Sequence, residues 1–120
     1  MTALAILKIL AIGLHGQTTV NRVIVGNGGA YSNPTDYVTL TAYDPASAST
    51  ENLATIFTQS VQGLMVHEGI AFVAAQDSLA RININSGDVE AIVALLGVNK
   101  FAVYKNQLIV SRQFPVTGDF

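Results

Sequence analysis

The sequence predicts an all-β fold made of consecutive four-stranded antiparallel units, preceded by an apolar segment. Three observations carry this. From residue 20 onward, short runs rich in Val, Ile, Thr, Tyr and Phe alternate with clusters of Gly, Asn, Asp, Ser and Pro. Separate stretches of the chain repeat one another. Half of the residues are hydrophobic and 12% are charged, against about 25% charged in ordinary soluble domains. Such a chain has ample apolar surface to bury, which argues against disorder.

The first element is "MTALAILKILAIGLHG" (Met1–Gly16), whose single charge is Lys8. It reads as a secretory signal peptide, with a basic residue, an apolar core and small residues near a cleavage point. The other reading is an apolar helix or strand that packs on the domain. Residues 1–17 are therefore set apart as a leader, expected to be helical. The run falls short of the roughly 20 apolar residues of a membrane span.

The strands follow. "NRVIVGNGG" (Asn21–Gly29) is a strand ending in a glycine-rich turn, and "YVTLTAYDPAS" (Tyr37–Ser47) alternates until Asp44-Pro45 stops it. "LATIF" (Leu53–Phe57), "GLMVHEG" (Gly63–Gly69), "IAFVAAQ" (Ile70–Gln76) and "SLARININSGD" (Ser78–Asp88) continue the series. "VEAIVALL" (Val89–Leu96), "KFAVYKN" (Lys100–Asn106) and "QLIVSRQ" (Gln107–Gln113) complete it. Glu68-Gly69 and Lys105-Asn106 suit tight hairpins, because Gly and Asn tolerate positive φ. "GLMVHEGIAFVAA" (Gly63–Ala75) is nearly continuous in apolar residues, as expected of strands covered on both faces. "SLARINI" is less so and is expected to meet more water.

Self-comparison organises these strands. "NRVIVGNG" (Asn21–Gly28) aligns with "GIAFVAAQ" (Gly69–Gln76) and with "NQLIVSRQ" (Asn106–Gln113). "TLTAYDPAS" (Thr39–Ser47) aligns with "SLARININS" (Ser78–Ser86), pairing Tyr43 with Ile82 and Asp44 with Asn83. "VQGLMVHEG" (Val61–Gly69) aligns with "VNKFAVYKN" (Val98–Asn106). The offsets are 48, 39 and 37 residues. The first copy is longer because "GAYSNPTDY" (Gly29–Tyr37) is inserted between two strands, where extra loop costs little. The unit matches the roughly 40–45 residues of a four-stranded β-propeller blade. The phase gives strands two to four of one blade, all four of the next, then two of a third. Residues 20–120 are thus expected to form about two blades of a propeller, with repeats near 21–60, 61–97 and 98–120. Propellers close with about 4–8 blades. The chain is therefore expected to be the N-terminal part of a longer protein, or to assemble with copies of itself.

The stretches "VIVGNGGAYSNPTDYVTLTAYDPAS", "IAFVAAQDSLARININSGDV" and "NQLIVSRQ" resemble the YVTN-type β-propeller repeats of bacterial secreted and surface proteins. Asn83 stands where those blades carry Asp, and Asn85-Ser86-Gly87 stands for their Asn-Thr-Gly turn. The resemblance implies an exported protein, periplasmic or at the cell surface. It also implies a non-enzymatic scaffold that binds a protein, glycan or small molecule through its rim loops.

Individual residues give few chemical leads. Cysteine is absent, which excludes disulfides and thiolate chemistry. Formal net charge is −2, with no basic stripe, which argues against nucleic acid. His15 lies in the leader, and His67 falls at a turn where the next repeat has Tyr104, so it reads as packing. No HxH or HExxH spacing calls for a metal, and no cofactor or catalytic residue is expected. "GNGG" (Gly26–Gly29) lacks the Lys-Ser/Thr and the helix of a phosphate loop. The insert is the best binding candidate, through Tyr31, Asn33, Asp36 and Tyr37, since Tyr and Asn supply rigid contact area and adaptable hydrogen bonds. Two other functions stay open. The chain could be part of a propeller enzyme, such as a lactonase or quinoprotein-type dehydrogenase, with its active site beyond residue 120. It could also be a self-assembling structural ring.

Overall fold

A computed structural model of the chain describes residues 19–113, so the leader and its expected helix lie outside the described residues. Those residues form nine strands in chain order. They are β1 (Val23–Asn27), β2 (Val38–Asp44), β3 (Ser49–Ile56), β4 (Val61–His67), β5 (Ile70–Ala75), β6 (Ser78–Asn83), β7 (Val89–Ala94), β8 (Val98–Tyr104) and β9 (Gln107–Arg112). They assemble into three antiparallel sheets, β1-β2-β3, β4-β5-β6-β7 and β8-β9, each a meander of neighbours in sequence. The fold is all-β. Its sheets have three, four and two strands among the described residues.

Turn chemistry sets the register. β4–β5 and β8–β9 are joined by two residues each, with His67 paired to Ile70 and Tyr104 to Gln107. Both residues of each link take positive φ: Glu68 48° and Gly69 77°, Lys105 46° and Asn106 61°. That is the backbone signature of a type I′ turn, whose twist matches the strands it joins. The first strand of the second and of the third sheet carries an irregularity at the same place, between Val61 and Gly63 and between Val98 and Phe101.

Alternation then sorts side chains between faces. Val38, Leu40, Ala54 and Ile56 on the first sheet pack against Ala71, Val73, Ala75, Ala80 and Ile82 on the second. Ile24, Val61 and Leu64 extend this core. Each large aliphatic side chain fully buried there, such as Leu40, Ile56 and Ile82, contributes about 1.5–3 kcal/mol. Arg22 braces the same sheet pair: Nη1 donates to the Ile84 carbonyl at 2.6 Å and Nη2 pairs with Glu51 at 2.8 Å.

The third sheet lies on the opposite face of the second. Gly63 makes this possible, because a Cβ there would collide with the Asn99 carbonyl of β8. Lys100 Nζ also reaches back to the Gln62 carbonyl at 2.7 Å. β5 is accordingly buried along most of its length, as its apolar sequence predicts. β4 is only half-buried, and β6, expected to be wetter, buries Ala80 and Ile82 completely. β7, at the edge of its sheet, is exposed at every residue although only Glu90 is charged.

Candidate functional site

The insert leaves the first sheet at Asn27 and returns at Val38, so residues 28–37 form a loop, as the repeat offset predicts. Its shape is fixed from within. Gly29 is obligatory, since a Cβ there would fall on the Asp36 carbonyl. Asp36 Oδ2 accepts the Ala30 N–H at 2.8 Å and closes the loop base. Asn33 N–H donates to the Ala30 carbonyl at 2.9 Å, and Asp36 N–H to the Asn33 carbonyl at 3.0 Å. Asn33 Oδ1 accepts both the N–H and the hydroxyl of Thr35, at 3.2 and 2.9 Å.

The β3–β4 link anchors this loop. Gly29 N–H donates to the Gln59 carbonyl at 2.9 Å, while Gln59 Nε2 donates to the Asn33 carbonyl at 2.6 Å. Tyr37 meets Phe57 edge to face, with centroids 5.1 Å apart. The four residues singled out by sequence therefore divide by role. Asn33 and Asp36 hold the loop, and Tyr37 packs at its base. Like Asn33 and Asp36, Tyr31 is exposed, at 96%. It stands beside a cleft of about 370 Å³ that Gly29, Gln59, Ser60 and Gln76 line with it. Gln59 and Gln76 are contacts that sequence reading missed, because only the fold brings the β3–β4 and β5–β6 links under the insert.

A second cleft of about 490 Å³ opens between the second and third sheets at the end that carries the tight hairpins. Phe72, Val103 and Leu108 give it apolar walls, and His67, Arg81 and Asn106 are at its polar mouth. His67 Nε2 lies 3.8 Å from Glu68 Oε1, and Arg81 Nε is paired with Glu90 at 2.8 Å. The repeat aligned His67 with Tyr104 but held no sign that the two hairpins would flank one cleft.

Among the described residues, no three His, Asp or Glu side chains gather as a metal site. Asp44 is held by the turn that follows it. The Ser47 hydroxyl, then the Ala46 N–H, hold its pKa below the usual carboxylate range. Both are turn contacts. The chain matches no known family model and no curated protein.

Proposed function

We propose that this protein is a non-enzymatic binding and scaffold module, whose three sheets are consecutive blades of a YVTN-type β-propeller in an exported bacterial protein. The insert loop is its binding arm, and the ligand is a protein, glycan or small molecule. One observation carries the binding part. The loop spends Asn33 and Asp36 on its own geometry and leaves Tyr31, an aromatic face with a hydroxyl, presented beside a cleft that Gly29, Gln59, Ser60 and Gln76 line with it. A rigid loop loses little entropy on binding, and tyrosine gives large contact area for two side-chain torsions. The cleft volume falls within the roughly 300–1,000 Å³ of small-ligand sites. The blade part is supported by the repeat, the meander order and the sheet-on-sheet packing.

The test compares the wild-type chain with Tyr31→Ala on a glycan array and by titration of the strongest binder. Loss of at least about tenfold in affinity, the effect of an interface hot spot worth about 1.4 kcal/mol, is expected. Equal binding by both proteins would remove the loop from the reading.

A further inference from the structure

The cleft beside Tyr31 has a hydrogen-bonding pattern set by two glutamines. Gln59 spends its amide nitrogen on the insert: Nε2 donates to the Asn33 carbonyl at 2.6 Å and to the Ala30 carbonyl at 3.4 Å. Both of its N–H bonds are then used, and the group left over is Oε1, an acceptor. Gln76 is turned the other way. Its Oε1 accepts the Gln59 backbone N–H at 3.4 Å, which leaves Nε2 with its two donors. Reversing either amide would set oxygen against oxygen or N–H against N–H, so these contacts fix which end is left. Among the described residues neither leftover group has a partner. The backbone of Gln76 is held as well, because its N–H donates to the Ser60 carbonyl and to Gln62 Oε1, both at 2.8 Å. Ser60 Oγ accepts Gln62 Nε2 at 2.8 Å and keeps its own proton to donate.

The rest of the lining narrows the chemistry. Gly29, Tyr31, Gln59, Ser60 and Gln76 carry no charge, and much of the wall is carbon, from the tyrosine ring and the glutamine stems. A charged group seated there would lose water without gaining a partner of opposite sign. A fitting ligand is therefore neutral, offers a donor next to an acceptor, and has an apolar face. A pyranose ring with two adjacent hydroxyls meets all three demands. One hydroxyl donates to Gln59 Oε1 and its neighbour accepts from Gln76 Nε2. The C–H groups of the sugar then lie against the ring face of Tyr31, which is the negative part of its quadrupole. A peptide also offers an N–H and a carbonyl. Its binding energy, however, comes from side chains buried in pockets, and Tyr31 at 96% exposure is a platform.

We propose that this cleft is a subsite for a neutral sugar, read by Gln59 Oε1 and Gln76 Nε2 and stacked on Tyr31. The assignment rests on the insert being the binding arm and names the class of its ligand.

The full chain, isotope-labelled, is titrated with the methyl glycosides of glucose, galactose, mannose and N-acetylglucosamine, and its side-chain amide and ring signals are followed by NMR. At least one glycoside is expected to shift the Gln76 amide and the Tyr31 ring together. No shift with any of them would overturn the proposal. The deoxy analogues of the best binder are then compared, one hydroxyl removed at a time. Two adjacent positions are expected to cost about tenfold in affinity each, the others little. Losses at positions that are not adjacent, or at none, would overturn it. Gln76→Glu keeps an oxygen for the Gln59 N–H and removes the donor, so it is expected to weaken the sugar about tenfold. In that variant the analogue lacking the accepting hydroxyl should cost nothing further. Backbone amide signals unchanged away from the cleft confirm folding. Failure of the sugar is separable from failure of the loop, which turns on Tyr31→Ala. A uronic acid, or a peptide selected by phage display, that is weakened by Tyr31→Ala but not by Gln76→Glu would keep the loop and overturn the neutral sugar.

Discussion

The turn after β2 and the turn after β6 are the same device built from different residues. In the first, Asp44 Oδ1 accepts the Ala46 N–H at 2.8 Å and Oδ2 accepts the Ser47 hydroxyl at 2.8 Å. In the second, Asn83 Oδ1 accepts the N–H groups of Asn85 and Ser86 at 3.0 and 3.3 Å. Four residues past each anchor the backbone turns left-handed, at Ala48 with φ 53° and at Gly87 with φ 78°. Glycine takes that conformation freely, while alanine pays a steric cost of about 1–2 kcal/mol. The neighbour explains the difference. The second turn presses on Leu53 of the first sheet and leaves no room for a methyl group. So local backbone preference favours glycine at both sites, but only packing makes it obligatory at one.

Substitutions can break or sharpen this contrast. Gly87→Ala is expected to do the most damage, about 2–4 kcal/mol from left-handed strain plus the clash with Leu53. A fall in denaturant midpoint at unchanged slope would register it. A cost no larger than the strain alone would mean that the sheets part easily. Ala48→Gly goes the other way. Relief of strain is partly offset by the freer unfolded chain, which leaves a gain of a few tenths to about 1 kcal/mol. Thermal unfolding checks the sign, and a loss would show that the alanine methyl is needed for contact. Asp44→Asn makes the first turn like the second and has the smallest effect. The folded-state pKa of Asp44 is lowered, so its stabilisation is present above the ordinary carboxylate range and is lost as pH falls through the folded value. Wild type should therefore lose slightly more stability than the Asn variant on acidification below about pH 4. Parallel melting-temperature curves for the two proteins would contradict this.

Legibility followed the same division between local and distant causes. The tight hairpins at Glu68-Gly69 and Lys105-Asn106 could be read directly, because their geometry is a property of the residues that form them. The insert could be read as a loop from the shift in offset alone. The start of β3 could not. Ser49–Asn52 carries little strand signal and is extended because β2 supplies its hydrogen-bond partners. Nor could the roles within the insert be told apart. Asn33 and Asp36 look like ligand residues in a string of letters, and only the folded loop shows them turned to its own N–H groups. β7 shows how little an apolar run says about burial. "VEAIVA" is apolar except for Glu90, and it forms the outer edge of its sheet, exposed throughout. A charge on such an edge discourages pairing with a foreign strand.

The meander order also bears on how the chain acquires its fold. Among the described residues every strand pairs only with neighbours in sequence, so no pairing within these sheets waits for a distant described segment. Hairpins with two-residue links form in roughly 1–10 μs, and the longer insert adds little, about 0.6 kcal/mol of closure entropy per doubling of loop length. The slow event is then the condensation of one finished sheet on another, through Leu40, Ile56, Val73 and Ile82. On a ribosome, each sheet would be complete before the next emerged, and the hydrophobic face left waiting at each stage would be that of a single sheet.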